Sequence, residues 1–104
     1  MQAHQFIEIT STQGVTARMI PLGATLTSLF VRDRYGNDID VVLGFDNVKE
    51  YEENTAYFGS TIGRVCNRIR FGHFVFDGKE YRLPINNEPH HLHGGPKGIA
   101  TVLY

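Results

Sequence analysis

Phe74-Val75-Phe76-Asp77-Gly78-Lys79-Glu80-Tyr81-Arg82-Leu83 is the stretch that decides the fold class of this chain. Runs with aromatic and β-branched residues flank Asp77-Gly78, a dipeptide that takes the positive φ angles of a two-residue turn at little steric cost. The stretch predicts an antiparallel hairpin. Segments N-terminal to it follow the same pattern. Phe6-Ile7-Glu8-Ile9-Thr10 and Val15-Thr16-Ala17-Arg18-Met19-Ile20 are short and partly alternating, with Thr12-Gln13-Gly14 between them, and predict another antiparallel pair. In Thr25 to Arg32, Leu26, Ser28, Phe30 and Arg32 share one face and Thr27, Leu29 and Val31 the other, with Leu29 and Val31 expected inward. Asp33 to Asn37 is a turn cluster, and Ile39 to Leu43 resumes extended character until Gly44. The helical signal is one short turn at Asn47 to Tyr51, with Asp46 or Asn47 placed to cap it.

These readings make the chain all-β and antiparallel. Pro84 to Gly98, rich in Asn, His, Pro and Gly without a period, is expected to be an exposed loop, and Thr101-Val102-Leu103-Tyr104 reads as the start of another strand. No repeat, low-complexity tract or linker divides residues 1–104, which are read as part of a single domain. With 41% hydrophobic and 20% charged residues the chain has the balance of one that buries a core. All-β sandwiches often run to about 200–250 residues, so a chain of 104 with this many strand signals is expected to be incomplete as a domain.

Composition also excludes classes. The net charge of −1 comes without a basic stripe, which argues against nucleic acid. No apolar run approaches the ~20 residues of a membrane span. The start, Met1-Gln2-Ala3-His4-Gln5, lacks the basic and apolar regions of a secretory leader. The single cysteine, Cys66, and the lack of any Asn-x-Ser/Thr acceptor fit a reducing compartment, and the cytoplasm is the expected location.

Two clusters carry the chemistry: Gly59-Ser60-Thr61-Ile62-Gly63-Arg64-Val65-Cys66-Asn67-Arg68-Ile69 and Asn86-Asn87-Glu88-Pro89-His90-His91-Leu92-His93-Gly94-Gly95. Sugar hydroxyls both donate and accept, and are bound by planar, multidentate groups such as those of Asn, Arg and His. Adjacent glycines let backbone and ligand approach closely. The plain reading of the first cluster is a strand with solvated arginines, placing Arg64, Cys66 and Arg68 on one face and Val65, Asn67 and Ile69 on the other. Only a bulge or turn would bring Asn67 and Arg68 to one ligand. His91-x-His93 on an extended chain would project both rings to one side, but no third ligand follows in Gly94 to Gly98, and no metal site is expected. Neither glycine cluster has the Gly-Lys-Ser/Thr of a phosphate loop. Cys66 is read as a small packed thiol rather than a nucleophile. Tyr51, Tyr57, Phe58 and Phe71 are candidates for a stacking wall, with core packing as the plainer role.

Taken in order, these segments resemble the aldose 1-epimerase family, also called galactose mutarotases. The likeness runs from Leu22-Gly23-Ala24-Thr25-Leu26 through Asp40-Val41-Val42-Leu43-Gly44-Phe45, Tyr57-Phe58-Gly59, Gly63-Arg64-Val65-Cys66-Asn67-Arg68-Ile69 and Phe76-Asp77-Gly78-Lys79-Glu80-Tyr81 to Leu92-His93-Gly94-Gly95. It implies an antiparallel β-sandwich of the galactose mutarotase-like supersandwich type, of which this is the N-terminal portion. It also implies interconversion of the α and β anomers of hexoses such as galactose and glucose, without metal or organic cofactor. By resemblance, Asn67 and Arg68 bind sugar hydroxyls and His93 sits toward the ring oxygen, while His91 is not expected to touch substrate. The family's acid, a His, and its base, a Glu, fall in later segments and map to no residue here, so the isolated chain is expected to be weak or inactive. None of Glu8, Glu50, Glu52, Glu53, Glu80 and Glu88 has a context that nominates it as the base.

Three positions depart from the family pattern: Cys66 stands where a small Ala is usual, His90 replaces an Asn, and Ile99 to Tyr104 keeps a faint likeness to a Phe-Asp-Lys-x-x-Trp continuation. Two other readings stand beside the enzyme: a non-catalytic carbohydrate-binding module, and a structural piece that self-associates through unpaired strands.

Overall fold

The computed structural model describes residues 5–104; Met1 to His4, most of the start read above for a leader, lie outside the described residues. The chain is almost all strand and turn, in two compact units: residues up to Thr61 together with Leu103–Tyr104, and Ile62–Val102.

The first unit is a four-stranded antiparallel sheet in sequence order, from β1 (Ile7–Thr10), β2 (Thr16–Ile20), β3 (Thr25–Arg32) and β4 (Asp38–Asp40). The β1–β2 pair forms as the alternation predicts, with Ile7 opposite Met19 and Thr10 opposite Thr16. Between β2 and β3 the register shifts: Arg18 faces Ser28 but Met19 faces Leu26, which leaves Thr27 as the extra residue of a bulge. The Thr27 hydroxyl donates to the Arg18 carbonyl at 3.1 Å, and that of Thr25 to Leu22 O at 2.7 Å. Thr25 and Thr27 are only 2% and 3% exposed, and their buried hydroxyls are tolerated because each is bonded. The deepest places of β3 go to Thr25 and Thr27, while Leu29 and Val31, expected inward, are only half-buried, as are Leu26, Ser28 and Phe30 of the other face.

The extended stretch read from Ile39 to Leu43 is shorter than expected, because β4 ends at Asp40. The Asp40 carboxylate accepts the N–H of Leu29 and that of Val42, both at 3.0 Å. The Leu29 donor that a longer β4 would engage with a main-chain carbonyl is thus already taken. Desolvation pushes the Asp40 carboxyl up, yet the hydrogen bonds from Val42, Leu29 and Ser28 and the charge of Arg18 outweigh it and hold the group below its ordinary value.

Asn47, of the two capping candidates, starts the 3₁₀ turn Val48–Glu53. Its side chain accepts the Lys49 N–H while Glu50 accepts the Asn47 N–H, a capping box. That turn carries Val48 and Tyr51 into a small core with Ile20, against which Leu22 and Phe45 pack. Tyr51 Oη also accepts the Phe45 N–H at 3.0 Å. The last residues do not make the strand read for Thr101 to Tyr104. Ile99–Thr101 is a 3₁₀ turn, and Leu103 makes a single antiparallel bridge with Leu22.

The second unit contains the hairpin that the opening stretch predicts. β6 (His73–Phe76) pairs with β7 (Lys79–Arg82) across Asp77 and Gly78 at φ 50° and 74°, and Phe74 stacks on Tyr81 with ring centroids 5.0 Å apart. β5 (Arg68–Ile69) pairs antiparallel with β8 (His91–Leu92). The segment from Pro84 to Gly98 is therefore not exposed throughout: its middle enters a ladder, and His91 and Leu92 are buried. The Asn86 amide stands in for a neighbouring strand, accepting the Leu92 N–H at 2.7 Å and donating to the Leu92 carbonyl at 2.9 Å.

Candidate functional site

The residues from Arg64 to Asn67 are not in a strand, because Asn67 takes a left-handed φ of 63°. The expected division of Arg64, Cys66 and Arg68 from Val65, Asn67 and Ile69 across two strand faces is replaced by a turn leading into β5. The turn gives Asn67 and Arg68 the shared environment that a continuous strand would deny them: Arg68 Nη1 donates to Asn67 Oδ1 at 3.1 Å. Arg68 Nε donates in turn to Asn87 Oδ1 at 3.0 Å.

His93 joins the same group through a reciprocal lock. Its backbone N–H donates to the Asn67 carbonyl at 3.0 Å, and the Asn67 backbone N–H donates to His93 Nδ1 at 2.9 Å. His93 is also left-handed, at φ 51°. Two non-glycine residues in this region store strain of about 1–3 kcal/mol each, a cost that persists where the surroundings over-determine a site. The lock also sets the tautomer. A ring nitrogen that accepts a backbone N–H carries no proton, so neutral His93 holds its hydrogen on Nε2 and is a donor there.

Asn67, Arg68 and His93, drawn from two separated stretches, are thus joined by hydrogen bonds. Gly94 makes the tight return possible: at φ 87°, a Cβ there would lie 1.9 Å from the Gly63 carbonyl oxygen. The three residues lie outside the 780 Å³ hollow of this unit, which is mainly apolar and lined by Val65, Ile69, Phe74, Leu83, Ile99 and others.

The neighbouring histidines have separate duties. His91 donates from Nδ1 to the Pro84 carbonyl at 2.7 Å, and His90 Nδ1 accepts the Phe71 N–H at 3.0 Å. Since β8 ends at Leu92 and His93 turns left-handed, the His91 and His93 rings do not project together as an extended chain would place them. Among the described residues no group of three or more His, Cys, Asp or Glu side chains is arranged to hold a metal. Cys66 corrects its reading as a packed thiol: it is exposed, with Sγ 3.9 Å from His93 Nδ1, because the segment is a turn rather than a strand. The aromatic candidates divide. Tyr51 and Phe58 flank Phe45 at 5.1 and 5.3 Å in the first unit, whereas Phe71 is exposed beside His90 in the second. Three of the carboxylates have structural work: Glu8 pairs with Arg18, Glu50 closes the capping box, and Glu80 meets His73 and Arg82.

Asn86 and Asn87 of the second cluster bond Leu92 and Arg68, roles that residue type alone does not assign. A pair of amides just before Glu88-Pro89, where the chain must turn, was the signal available for them.

Comparison with known proteins places these observations. The profile of the family described as Aldose 1-epimerase matches residues 5–103. Galactose mutarotase of Bos taurus is 54% identical over 86 residues, covering 83% of this chain and 25% of that protein. Aldose 1-epimerase of Escherichia coli K12 is 30% identical over 98 residues, covering 94% of this chain and 28% of its own length. Among solved structures, a GalM/aldose epimerase homologue from C. elegans superposes with a TM-score of 0.89 at 48% identity, over 95% of this chain and 30% of that one. Galactose 1-epimerase from Lactobacillus acidophilus shares the fold, with a TM-score of 0.76 at 24% identity, over 94% of this chain and 28% of that one. The described residues are a portion of the galactose mutarotase-like antiparallel β-sandwich, and the chain spans about a quarter of the length of the curated relatives it matches.

Proposed function

The chain belongs to the aldose 1-epimerase family, and from that premise we propose that Asn67, Arg68 and His93 form its share of a hexose site serving mutarotation. The observation that carries this reading is the lock between Asn67 and His93, with the Arg68 guanidinium tied to the same asparagine.

Mutarotation opens a cyclic hemiacetal. A base takes the proton of the anomeric hydroxyl, an acid protonates the ring oxygen as its bond to C1 breaks, C1–C2 rotates, and the ring closes on the other face. Arg68 and Asn67 supply donors and an acceptor for sugar hydroxyls, and His93 supplies Nε2–H toward the ring oxygen. They bind and orient. The acid and base belong, by family resemblance, to segments that follow those matched here, and each is worth about 10²–10⁴-fold. The 104-residue chain by itself is therefore weak or inert as an epimerase while keeping affinity for the sugar. Both units are parts of one domain, because the family match crosses their boundary without a break. The location is the cytoplasm, in keeping with a lone, exposed thiol. The chain self-associates through its unpaired strands, since the β6–β7 hairpin is an isolated two-stranded sheet with Val75 63% and Phe76 69% exposed.

NMR titration with galactose and glucose, run beside polarimetry of α-D-galactose, tests the site. Saturable binding that is lost in Arg68→Ala and His93→Ala, with anomerisation at the uncatalysed rate, is the expected result. An enzyme-like rate from the pure chain would overturn its inertness, and no binding by the wild type would overturn the site. Sedimentation of the same samples over a concentration series reads the self-association, which a strictly monomeric profile would refute.

A further inference from the structure

The three site residues differ in how they are held. Asn67 and His93 are fixed by main-chain bonds, but the Arg68 guanidinium sits at the end of a long flexible stem on an exposed residue. A flexible cation binds a sugar hydroxyl poorly, because the freedom of its stem is lost on binding. Two contacts restrain it: Nη1 to Asn67 Oδ1 at 3.1 Å and Nε to Asn87 Oδ1 at 3.0 Å. Acceptors on two different nitrogens of one planar group fix both its plane and its rotation, and leave Nη2 as the nitrogen that neither asparagine engages.

We infer that Asn87 is a positioning residue for the Arg68 guanidinium, setting the direction in which its remaining N–H groups meet the hexose. This rests on the proposed sugar site.

The main chain of Asn87 already has its own partners. Its N–H donates to the His90 carbonyl at 3.0 Å and its carbonyl accepts the His90 N–H at 2.7 Å, a closed pair across Glu88-Pro89. The turn is therefore held without the Asn87 side chain, which is left for Arg68. The preceding amide has a different task, since Asn86 is occupied by both main-chain groups of Leu92. Two adjacent asparagines thus divide the work: one holds the strand that leads to His93, the other aims the arginine. Substituting the Asn87 side chain removes the aim and leaves the turn.

The test compares Asn87→Ala with Asn87→Asp, which keeps an oxygen acceptor, in wild-type and Arg68→Lys backgrounds; lysine lacks the Nε–H. Two quantities are read by NMR: the position and water exchange of the Arg68 Nε–H resonance, and the dissociation constant for galactose. In the Ala variant the Nε–H signal shifts and exchanges faster, and galactose binding weakens about 3- to 10-fold, the effect of one lost hydrogen bond. The Asp variant retains a slowly exchanging Nε–H and stays within about twofold of wild type, since it preserves the acceptor. In the Arg68→Lys background Asn87→Ala adds no further loss. An unchanged Nε–H signal in Asn87→Ala, or the same loss of affinity in both backgrounds, overturns the inference. Absence of galactose binding in the wild type would instead sink the sugar site itself, and the Nε–H comparison would still decide whether Asn87 holds the guanidinium.

Discussion

The two units are written in the same all-β vocabulary and held by different forces. In the first, the β2–β3 ladder runs through five partner pairs, and Ile20, Val48 and Tyr51 form a buried cluster beneath it. In the second, β5 and β8 are two residues each, and order comes from side chains that bond the main chain: Asn86 to Leu92, His90 to Phe71, His91 to Pro84 and His93 to Asn67. Burial is non-directional and tolerates approximate shapes. A hydrogen-bonded clasp fixes the direction of each group and fails when one member is removed. The molecule therefore keeps its generic stability in the first unit and its geometric demands in the second.

The sharpest way to break that contrast is at Ile20, whose side chain is 1% exposed. Ile20→Ala is expected to cost about 2–5 kcal/mol, through lost transfer energy and the cavity left behind. Amide exchange in β2 and β3 measures it. A loss below about 1 kcal/mol would show that burial is not what carries this sheet.

The counterpart in the second unit is Asn86→Leu, a near-isosteric change that removes both bonds to Leu92. It strands the buried Leu92 N–H, at about 1–3 kcal/mol of desolvation for a group left unmade, while the Leu92 carbonyl keeps the Gly95 N–H at 2.9 Å. The contrast predicts a second consequence. Galactose affinity should fall with it, although Asn86 is assigned no contact with the sugar, because β8 delivers the chain to His93. Stability lost with affinity retained would mean that the clasp does not depend on the strand behind it.

The same division explains what could be read from the sequence. Asp77-Gly78 fixed one hairpin because a two-residue turn is a local event, and the Thr25–Arg32 strand was evident from alternation. The packing of Thr25 and Thr27 was not, since a bulge is a matter of register between two strands and leaves no mark in either alone. At the site, residue types marked the two clusters and family resemblance picked Asn67, Arg68 and His93 out of them, but the strand period misplaced their neighbours. Asn67 is a residue type that takes a left-handed φ readily, but the strand period read through Arg64-Val65-Cys66-Asn67 hid the turn, and Cys66 lies at the surface rather than packed. Asn87, the distant partner of Arg68, lay in a segment read as exposed loop, where pairing depends on contacts between residues about twenty positions apart.

The smallest expected effect is electrostatic and belongs to the first unit. Asp40 ends β4 by bonding Leu29 and Val42, and although desolvation alone would raise it, the net result is a carboxyl held below its ordinary 3.8. A depressed acid stabilises the fold above its unfolded-state value, and that contribution disappears as pH falls through the lower folded-state value. Stability of the β3–β4 hairpin should thus decline on acidification below about pH 4. Asp40→Asn should remove part of this acid dependence, at a cost near neutral pH below about 1 kcal/mol because the carboxylate is largely in water. What acid dependence remains belongs to Asp33, lowered first by the Asn37 backbone N–H, in the turn between the same two strands. Exchange at the Leu29 and Val42 amides between pH 3 and 6 separates the two carboxylates. If the Asn variant keeps the full acid slope at Leu29, then the ladder and not the Asp40 side chain ends β4.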